Sequence, residues 1–175
     1  MILKGRGKEE KILMVCEAFG GGVFTYVSQL CNDMVDDFDV YLAYSLRPQT
    51  PKNYKDFLDQ RVHLIEMQNV GVKGLTNLKS DIAAIKELRQ VEKDVQPDVI
   101  HLHSSVAGGL GRLAYNGKNN TVVYTPHGYA HMRLHTAGAR QSIPTAFLNV
   151  ATSGLWSWDA IRGQVFRMDA VRLLL

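Results

Sequence analysis

The sequence is poor in cysteine and in long apolar runs, and each shortage excludes a class of protein. Two cysteines in 175 residues are too few for a disulfide framework, and Cys16 and Cys31 have no CxxC spacing. We expect both to be small buried side chains in a reducing compartment. No apolar run is long enough for a signal-peptide core or a membrane span, so a cytoplasmic protein is predicted. Peripheral contact with a membrane stays open.

The sequence also lacks a concentrated block of basic residues. The net charge is +3, but residues 1–130 contain 15 basic and 15 acidic side chains. Residues 131–175 contain five arginines, no lysine and two aspartates, which account for the whole excess. Nucleic-acid-binding domains carry a concentrated basic face, so nucleic acid is not an expected partner.

Apolar segments of strand length alternate with amphipathic segments of helix length between residues 11 and 125. Strands are predicted at 12–16, 40–44, 61–67, 98–103 and 121–124. Helices are predicted at 23–34, 53–58, 78–95 and 105–115. This alternation predicts an α/β fold with a doubly wound parallel sheet and right-handed crossovers.

The longest predicted helix has an apolar residue at every third or fourth position, which indicates one buried stripe. The residues of this stripe are Leu78, Ile82, Ile85, Leu88, Val91 and Val95. Asn77 is its predicted N-cap, and Pro97 ends it.

The composition changes near residue 130. Lysine disappears, small residues become frequent, and no alternation of strands and helices continues. We therefore divide the chain into a Rossmann-like domain, residues 1–130, and an atypical tail, residues 131–175. A truncated gene product or an altered reading frame is one hypothesis for the tail, and a genuine but unfamiliar C-terminal segment is the other.

Three consecutive glycines, Gly20, Gly21 and Gly22, follow the first predicted strand. Glycine tolerates positive φ and lets a ligand approach the main chain. The first N–H groups of the helix that follows point into the same space, which favours an anion such as a phosphate. The alternative is that the glycines serve only tight packing between strand and helix.

Three common phosphate-binding motifs do not fit this loop. A P-loop needs Lys and then Ser or Thr after the last glycine, but Val23 and Phe24 stand there. A dinucleotide fingerprint needs a third glycine where Thr25 stands and an acidic residue after the second strand, which ends at Ser45. A receiver-type phosphoacceptor needs an acidic cluster, of which only Glu17 is present.

Ligands of open α/β sheets bind beyond the carboxyl ends of the strands. Those ends supply Glu17, the three glycines, Ser45, Arg47, His103, Ser104, Ser105, His127 and Gly128. We predict that His103, Ser104 and Gly128 contact substrate or phosphate, whereas His101 is a core histidine with a hydrogen-bond partner. His101 and His103 have no third ligand at informative spacing, so no metal site is predicted.

Three segments, residues 15–23, 96–105 and 124–128, resemble the N-terminal half of GT-B glycosyltransferases. More narrowly, they are similar to the family-4 enzymes of bacterial capsule and cell-wall polysaccharide synthesis, including rhamnosyltransferases. The similarity extends from about residue 11 to residue 129, with the motifs in the family's order.

The resemblance implies metal-independent transfer of a sugar from a nucleotide-diphosphate sugar, without a cofactor, to a lipid-linked or polysaccharide hydroxyl. It implies that Gly20, Gly21 and Gly22 approach the donor phosphates and that His127 is the catalytic histidine near the donor sugar. The family's second Rossmann domain has no counterpart in this sequence, so we expect the chain alone to be inactive. The alternative is a non-catalytic α/β module that holds a glycan or lipid-linked acceptor for a separate donor-binding subunit.

Overall fold

A parallel sheet with helices on both faces forms the centre of the molecule. A computed structural model describes residues 10–71, 78–115, 117, 119–127 and 166–167. The strands are β1 (Lys11–Phe19), β2 (Asp39–Leu46), β3 (His63–Glu66), β4 (Val99–His103), β5 (Thr121–Thr125) and β6 (Phe166–Arg167). They lie in the order β3-β2-β1-β4-β5-β6, and β1 to β5 are parallel. The predicted doubly wound α/β fold is confirmed.

The described helices follow the predicted pattern closely. They are α1 (Gly21–Met34), α2 (Leu78–Val95) and α3 (Ser105–Ala114), with a short 3-10 helix at Tyr54–Phe57. The main difference lies at the start of α1, because Gly21 and Gly22 form its first turn and do not belong to a preceding loop.

Alternation along β1 sends successive side chains to opposite layers of the molecule. Met14 and Cys16 face α1, where they pack with Phe24. Leu13 and Val15 face the opposite layer, which α2 and α3 form. This alternation decides which side chains reach each helix at the carboxyl edge of the sheet.

The predicted apolar stripe of α2 is only partly buried. Leu88, Val91 and Val95 lie in the core, but Leu78 and Ile82 are 76% and 45% exposed. The stripe is therefore buried toward the C-terminal end of α2 and exposed at the start of the helix. The predicted N-cap, Asn77, lies outside the described residues.

Both cysteines are free and buried, as predicted. Burial raises the pKa of the Cys31 thiol to about 12, and burial also raises the pKa of Cys16. These thiols are therefore protonated at neutral pH and act as apolar packing groups. None of the helices in the described ranges is both long and apolar enough to cross a membrane.

The structure describes one short strand after residue 130, in the segment where we predicted no continued alternation of strands and helices. The two-residue strand β6 pairs antiparallel with β5, with Tyr124 opposite Phe166. Two residues are too few to leave a periodic pattern in a sequence, so this strand had no signal to detect.

Candidate functional site

The carboxyl ends of β1, β4 and β5 bring most of the predicted site residues to one edge of the sheet. β1 ends before Gly20, β4 ends at His103, and β5 leads into His127. Two helices, α1 and α3, begin at this edge. Gly128, the remaining predicted site residue, lies outside the described residues.

The N-terminus of α1 is open. Gly20 occupies the N-cap position and has no side chain to cap the helix, and the first turn contains no acidic residue. Gly21 and Gly22 are exposed. A Cβ added at either position would meet nothing within 4 Å. The first amides of α1 are therefore accessible to a ligand from outside.

The three glycines have different backbone roles. Gly21 has a φ of 55°, a left-handed conformation that favours glycine. Gly20 is extended, with a φ of −163°. A Cβ on Gly20 would lie 3.2 Å from the Cβ of Gln49. The expectation of positive φ holds for Gly21 alone, while Gly20 provides a close approach to the loop after β2 and Gly22 leaves open space.

The N-terminus of α3 is closed by a carboxylate of the same chain. Glu17 follows Cys16 on β1, so its side chain faces the α3 layer, where it is 3% exposed. Its carboxylate accepts hydrogen bonds from the Ser104 hydroxyl and from the backbone N–H of Ala107, the latter at 3.2 Å. Glu17 thus occupies the position that an anion would take at this helix.

Ser104 forms a hydrogen bond with Glu17 and not with the start of its own helix. The hydroxyl of Ser104 makes no capping bond to its own helix but donates to Glu17. The backbone of Ser104 has a φ of 83°, outside the extended conformation that an N-cap residue usually takes. Ser104 is also only 8% exposed. In this structure it binds an internal carboxylate, and its predicted contact with a ligand stays a prediction.

The guanidinium group of Arg47, in the loop after β2, lies beside Glu17. The Nε of Arg47 donates to the backbone oxygen of Glu17 at 2.7 Å. Gly71 packs over both residues, since an added Cβ would lie 2.4 Å from the Glu17 Cγ and 2.7 Å from an Arg47 nitrogen. Burial raises the pKa of the Glu17 carboxyl, while the Ser104 hydrogen bond and the Arg47 charge partly offset that rise.

Three histidines form a cluster on the α1 side of the edge. His101 and His103 pair with Met14 and Cys16 of β1, which face α1. The two histidine rings lie 4.0 Å apart, and the Nδ1 of His103 lies 3.0 Å from the Nε2 of His127.

Burial keeps these histidines neutral. The Nε2 of His101 lies 2.8 Å from the Thr125 hydroxyl, which confirms the prediction of a core histidine with a partner. Burial lowers the pKa of His101 to about 4 and also lowers the pKa values of His103 and of the half-buried His127. His103 is fully buried beneath His127, so His127 is the member nearer to solvent.

Tyr26 connects the open helix end to this cluster, and sequence reasoning missed it. Its ring packs edge-on against His127, with ring centres 4.9 Å apart, and also lies near His103. Tyr26 is 37% exposed. The sequence signal that could have identified Tyr26 is an aromatic side chain outside the apolar helix face that contains Phe24 and Val27. The contact places His127 beside the first turns of α1.

The open end of α1 and His127 offer groups that can bind an anion or a hydroxyl. Among the described side chains, no group of three or more His, Cys, Asp or Glu residues is placed to hold a metal ion. The open end of α1 offers N–H donors and a positive helix-dipole end, and His127 offers a neutral imidazole beside it.

Comparison with known proteins identifies the family. A profile of Glycosyltransferase Family 4 matches residues 20–165, from the glycine turn through the histidine cluster. The chain belongs to Glycosyltransferase Family 4. The matched region continues past residue 130 into the segment where the composition changes. The altered reading frame stays a prediction. No curated protein sequence matches the chain.

Solved structures agree with this fold. A sucrose-phosphate synthase from Thermosynechococcus elongatus has a TM-score of 0.61 at 13% identity, and the match covers 81% of this chain and 40% of that one. A UDP-N-acetylglucosamine 2-epimerase has a TM-score of 0.56 at 15% identity, with coverage of 84% and 40%. At these identities the likeness shows the Rossmann-like fold alone. The family-4 chain spans about two fifths of the length of both proteins.

Proposed function

We propose that this domain forms one wall of a sugar-transfer site, the wall that carries the acceptor and approaches the donor phosphates. The donor would be a nucleotide-diphosphate sugar, and the acceptor a hydroxyl of a lipid-linked sugar or polysaccharide in bacterial capsule or cell-wall synthesis. The reaction would take place in the cytoplasm, at the inner face of the membrane. One observation carries the proposal: the open N-terminus of α1 lies beside His127, joined by Tyr26.

The open helix end suits the charge that develops in such a reaction. When the bond between sugar and diphosphate breaks, negative charge grows on the phosphate oxygens. N–H groups that are already oriented stabilise this charge without reorganisation. Gly21 and Gly22 leave these groups uncovered, because neither has a side chain. A dipole of about half a positive charge at the helix end adds to the effect.

His127 would hold the sugar or the leaving group by a hydrogen bond. Its ring is half-buried and neutral because burial lowers its pKa. A neutral imidazole binds a hydroxyl without attracting a second anion, so it distinguishes a sugar position from a phosphate position. Arg47, near the same edge, would add positive charge on the side of the phosphates.

The nucleotide would bind to a second domain. This chain spans two fifths of the two structurally similar proteins. A sugar-transfer site between two domains would take its nucleotide pocket and diphosphate cations from the other domain. We therefore propose that this chain alone does not catalyse transfer.

Nuclear magnetic resonance with calorimetry tests this proposal. We expect nucleotide-diphosphate sugars at millimolar concentration to shift the amide signals of Gly21 and Gly22. The Ala107 amide should not shift, since it already donates to Glu17. Calorimetry should detect no micromolar binding by the same chain. The variant Gly22→Val, which fills the open space, should lose the amide shifts, whereas Gln29→Val, an exposed site further along α1, should keep them.

The outcomes separate the alternatives. Micromolar binding of a nucleotide sugar would contradict a donor site on another domain. Shifts confined to the far edge of the sheet, near His63 and Asp39, would contradict the position of the site. Tight binding of a soluble lipid-linked sugar without any effect of nucleotide sugars at Gly21 would favour the non-catalytic acceptor-binding module.

A further inference from the structure

We propose that His103 is a positioning residue that fixes the tautomer of His127, so that His127 meets a ligand as a hydrogen-bond donor through Nδ1. In this arrangement His127 is not a general base. The inference rests on the proposed function only in assigning the ligand, since the tautomer itself is a property of the free chain.

The contact between the two rings allows two arrangements. The Nδ1 of His103 and the Nε2 of His127 lie 3.0 Å apart, within hydrogen-bond distance. In a neutral imidazole one nitrogen donates and the other accepts. Either His103 donates and the proton of His127 lies on Nδ1, or His127 donates from Nε2 and the proton of His103 lies on its own Nε2.

Burial of His103 favours the first arrangement. Its Nε2 is buried and has no hydrogen-bond partner in the described part of the chain. The second arrangement would place an N–H there without an acceptor. Buried N–H groups are left unpaired more rarely than buried acceptors, and an unpaired buried donor destabilises the folded state. The first arrangement leaves only a lone pair at this position.

Among the described residues, the rings beside His103 provide no competing partner. The Nε2 of His101, its nearest ring neighbour, is bonded to Thr125. Tyr26 contacts His103 and His127 through ring edges and faces. Burial and the neighbouring imidazoles lower the pKa of His103, so both members of the pair are neutral at pH 7.

The arrangement defines what His127 can do. Its Nε2 is occupied by His103, so only Nδ1 is left for a ligand. With the proton on Nδ1, this nitrogen donates to a sugar or phosphate oxygen and cannot accept a proton from an acceptor hydroxyl. A base for that hydroxyl, where the reaction needs one, is therefore a different group.

Nitrogen chemical shifts of the histidine rings test this directly. In long-range proton–nitrogen spectra of the labelled full chain at pH 7.5, a protonated ring nitrogen and a bare one have clearly separate shifts. We expect the Nδ1 of His127 to be the protonated one, and the signals are assigned by their loss in His127→Gln. A protonated Nε2, or two protonated nitrogens, would overturn the proposal.

A variant separates tautomer control from packing. His103→Leu removes the donor, and His127 should then change to the Nε2–H form, which free imidazole side chains prefer. His63→Leu, at the opposite edge, should leave the His127 signals unchanged. If His127 keeps the Nδ1–H form in folded His103→Leu, then His103 does not set the tautomer. Neither result depends on nucleotide-sugar binding, so the inference and the proposed function fail separately.

Discussion

Two helices begin at the same edge of this sheet, and the surroundings of their N-termini differ. At α3 a buried carboxylate of the chain, Glu17, accepts hydrogen bonds from Ser104 and Ala107. At α1 the N-cap residue is a glycine without a side chain, no acid lies in the first turn, and two glycines there are exposed. Both helix N-termini favour a negatively charged group, and among the described residues an acidic side chain occupies that position only at α3.

The difference originates in one strand. Cys16 and Glu17 are neighbours on β1, so their side chains face opposite layers. The layer of α3 receives a carboxylate, and the layer of α1 receives a thiol that burial keeps protonated. A helix N-terminus is therefore informative about ligands only after the internal anions of the chain have been assigned. That test leaves α1 as the candidate.

The largest expected effect on stability comes from removing the carboxylate at the N-terminus of α3. Glu17→Ala removes the carboxylate and leaves a cavity, a buried hydroxyl and a backbone N–H without their acceptor. We expect the free energy of unfolding to fall by about 4 kcal/mol, from the unpaired groups and the cavity together. Urea titration followed by circular dichroism measures this change.

Glu17→Gln provides the matched control. Its amide oxygen still accepts from Ser104 and Ala107, so the loss should be about 1 kcal/mol. If the alanine and glutamine variants lose equal stability, the hydrogen bonds of Glu17 do not close α3.

The two ends should also respond to pH with opposite signs. His101, in the cluster beside α1, has a folded-state pKa of about 4, below its ordinary value of 6.5. Between these values the unfolded chain binds more protons than the folded one. The contribution of His101 to stability is therefore complete above pH 6.5 and is lost as pH falls toward 4, by about 3 kcal/mol.

Glu17 contributes a pH dependence of the opposite sign to the free energy of unfolding. Because burial raises its pKa, the folded state keeps the proton longer, and its contribution falls as pH rises above 4.5. Urea titrations between pH 4 and pH 7 measure the free energy of unfolding, to which both residues contribute. His101→Gln should flatten the loss in acid. An unchanged acid loss in His101→Gln would show that its burial does not control the slope.

The fold could be predicted from sequence because it depends on repeating patterns. Five apolar strands and three amphipathic helices each carry many residues of the same signal, and all five predicted strands are present. Where a pattern was short, the sequence carried no signal, as for the two-residue β6. The apolar stripe predicted for α2 was wrong only in its burial at the start of the helix, where Leu78 is exposed.

The site was harder to predict because single contacts between distant residues decide it. The position of Glu17 at a strand end was visible in sequence, but its bond to Ser104 spans 87 residues. The same holds for the contact of Tyr26 with His127.

The smallest expected effects sharpen the description of the open end, since two adjacent glycines should respond with opposite signs. Gly21→Ala forces a side chain into a backbone with a φ of 55° and should cost about 1 kcal/mol. Gly22→Ala lies within α1 with open space around the new methyl group, so it should stabilise the fold by about 0.5 kcal/mol. Thermal unfolding of the two variants, measured together, distinguishes the signs. Equal destabilisation by both variants would indicate that Gly22 serves packing between strand and helix, which is the alternative given for the three glycines. Opposite signs mean that a glycine at position 22 does not stabilise the fold. Its missing side chain is then explained by the access of a ligand to the end of α1.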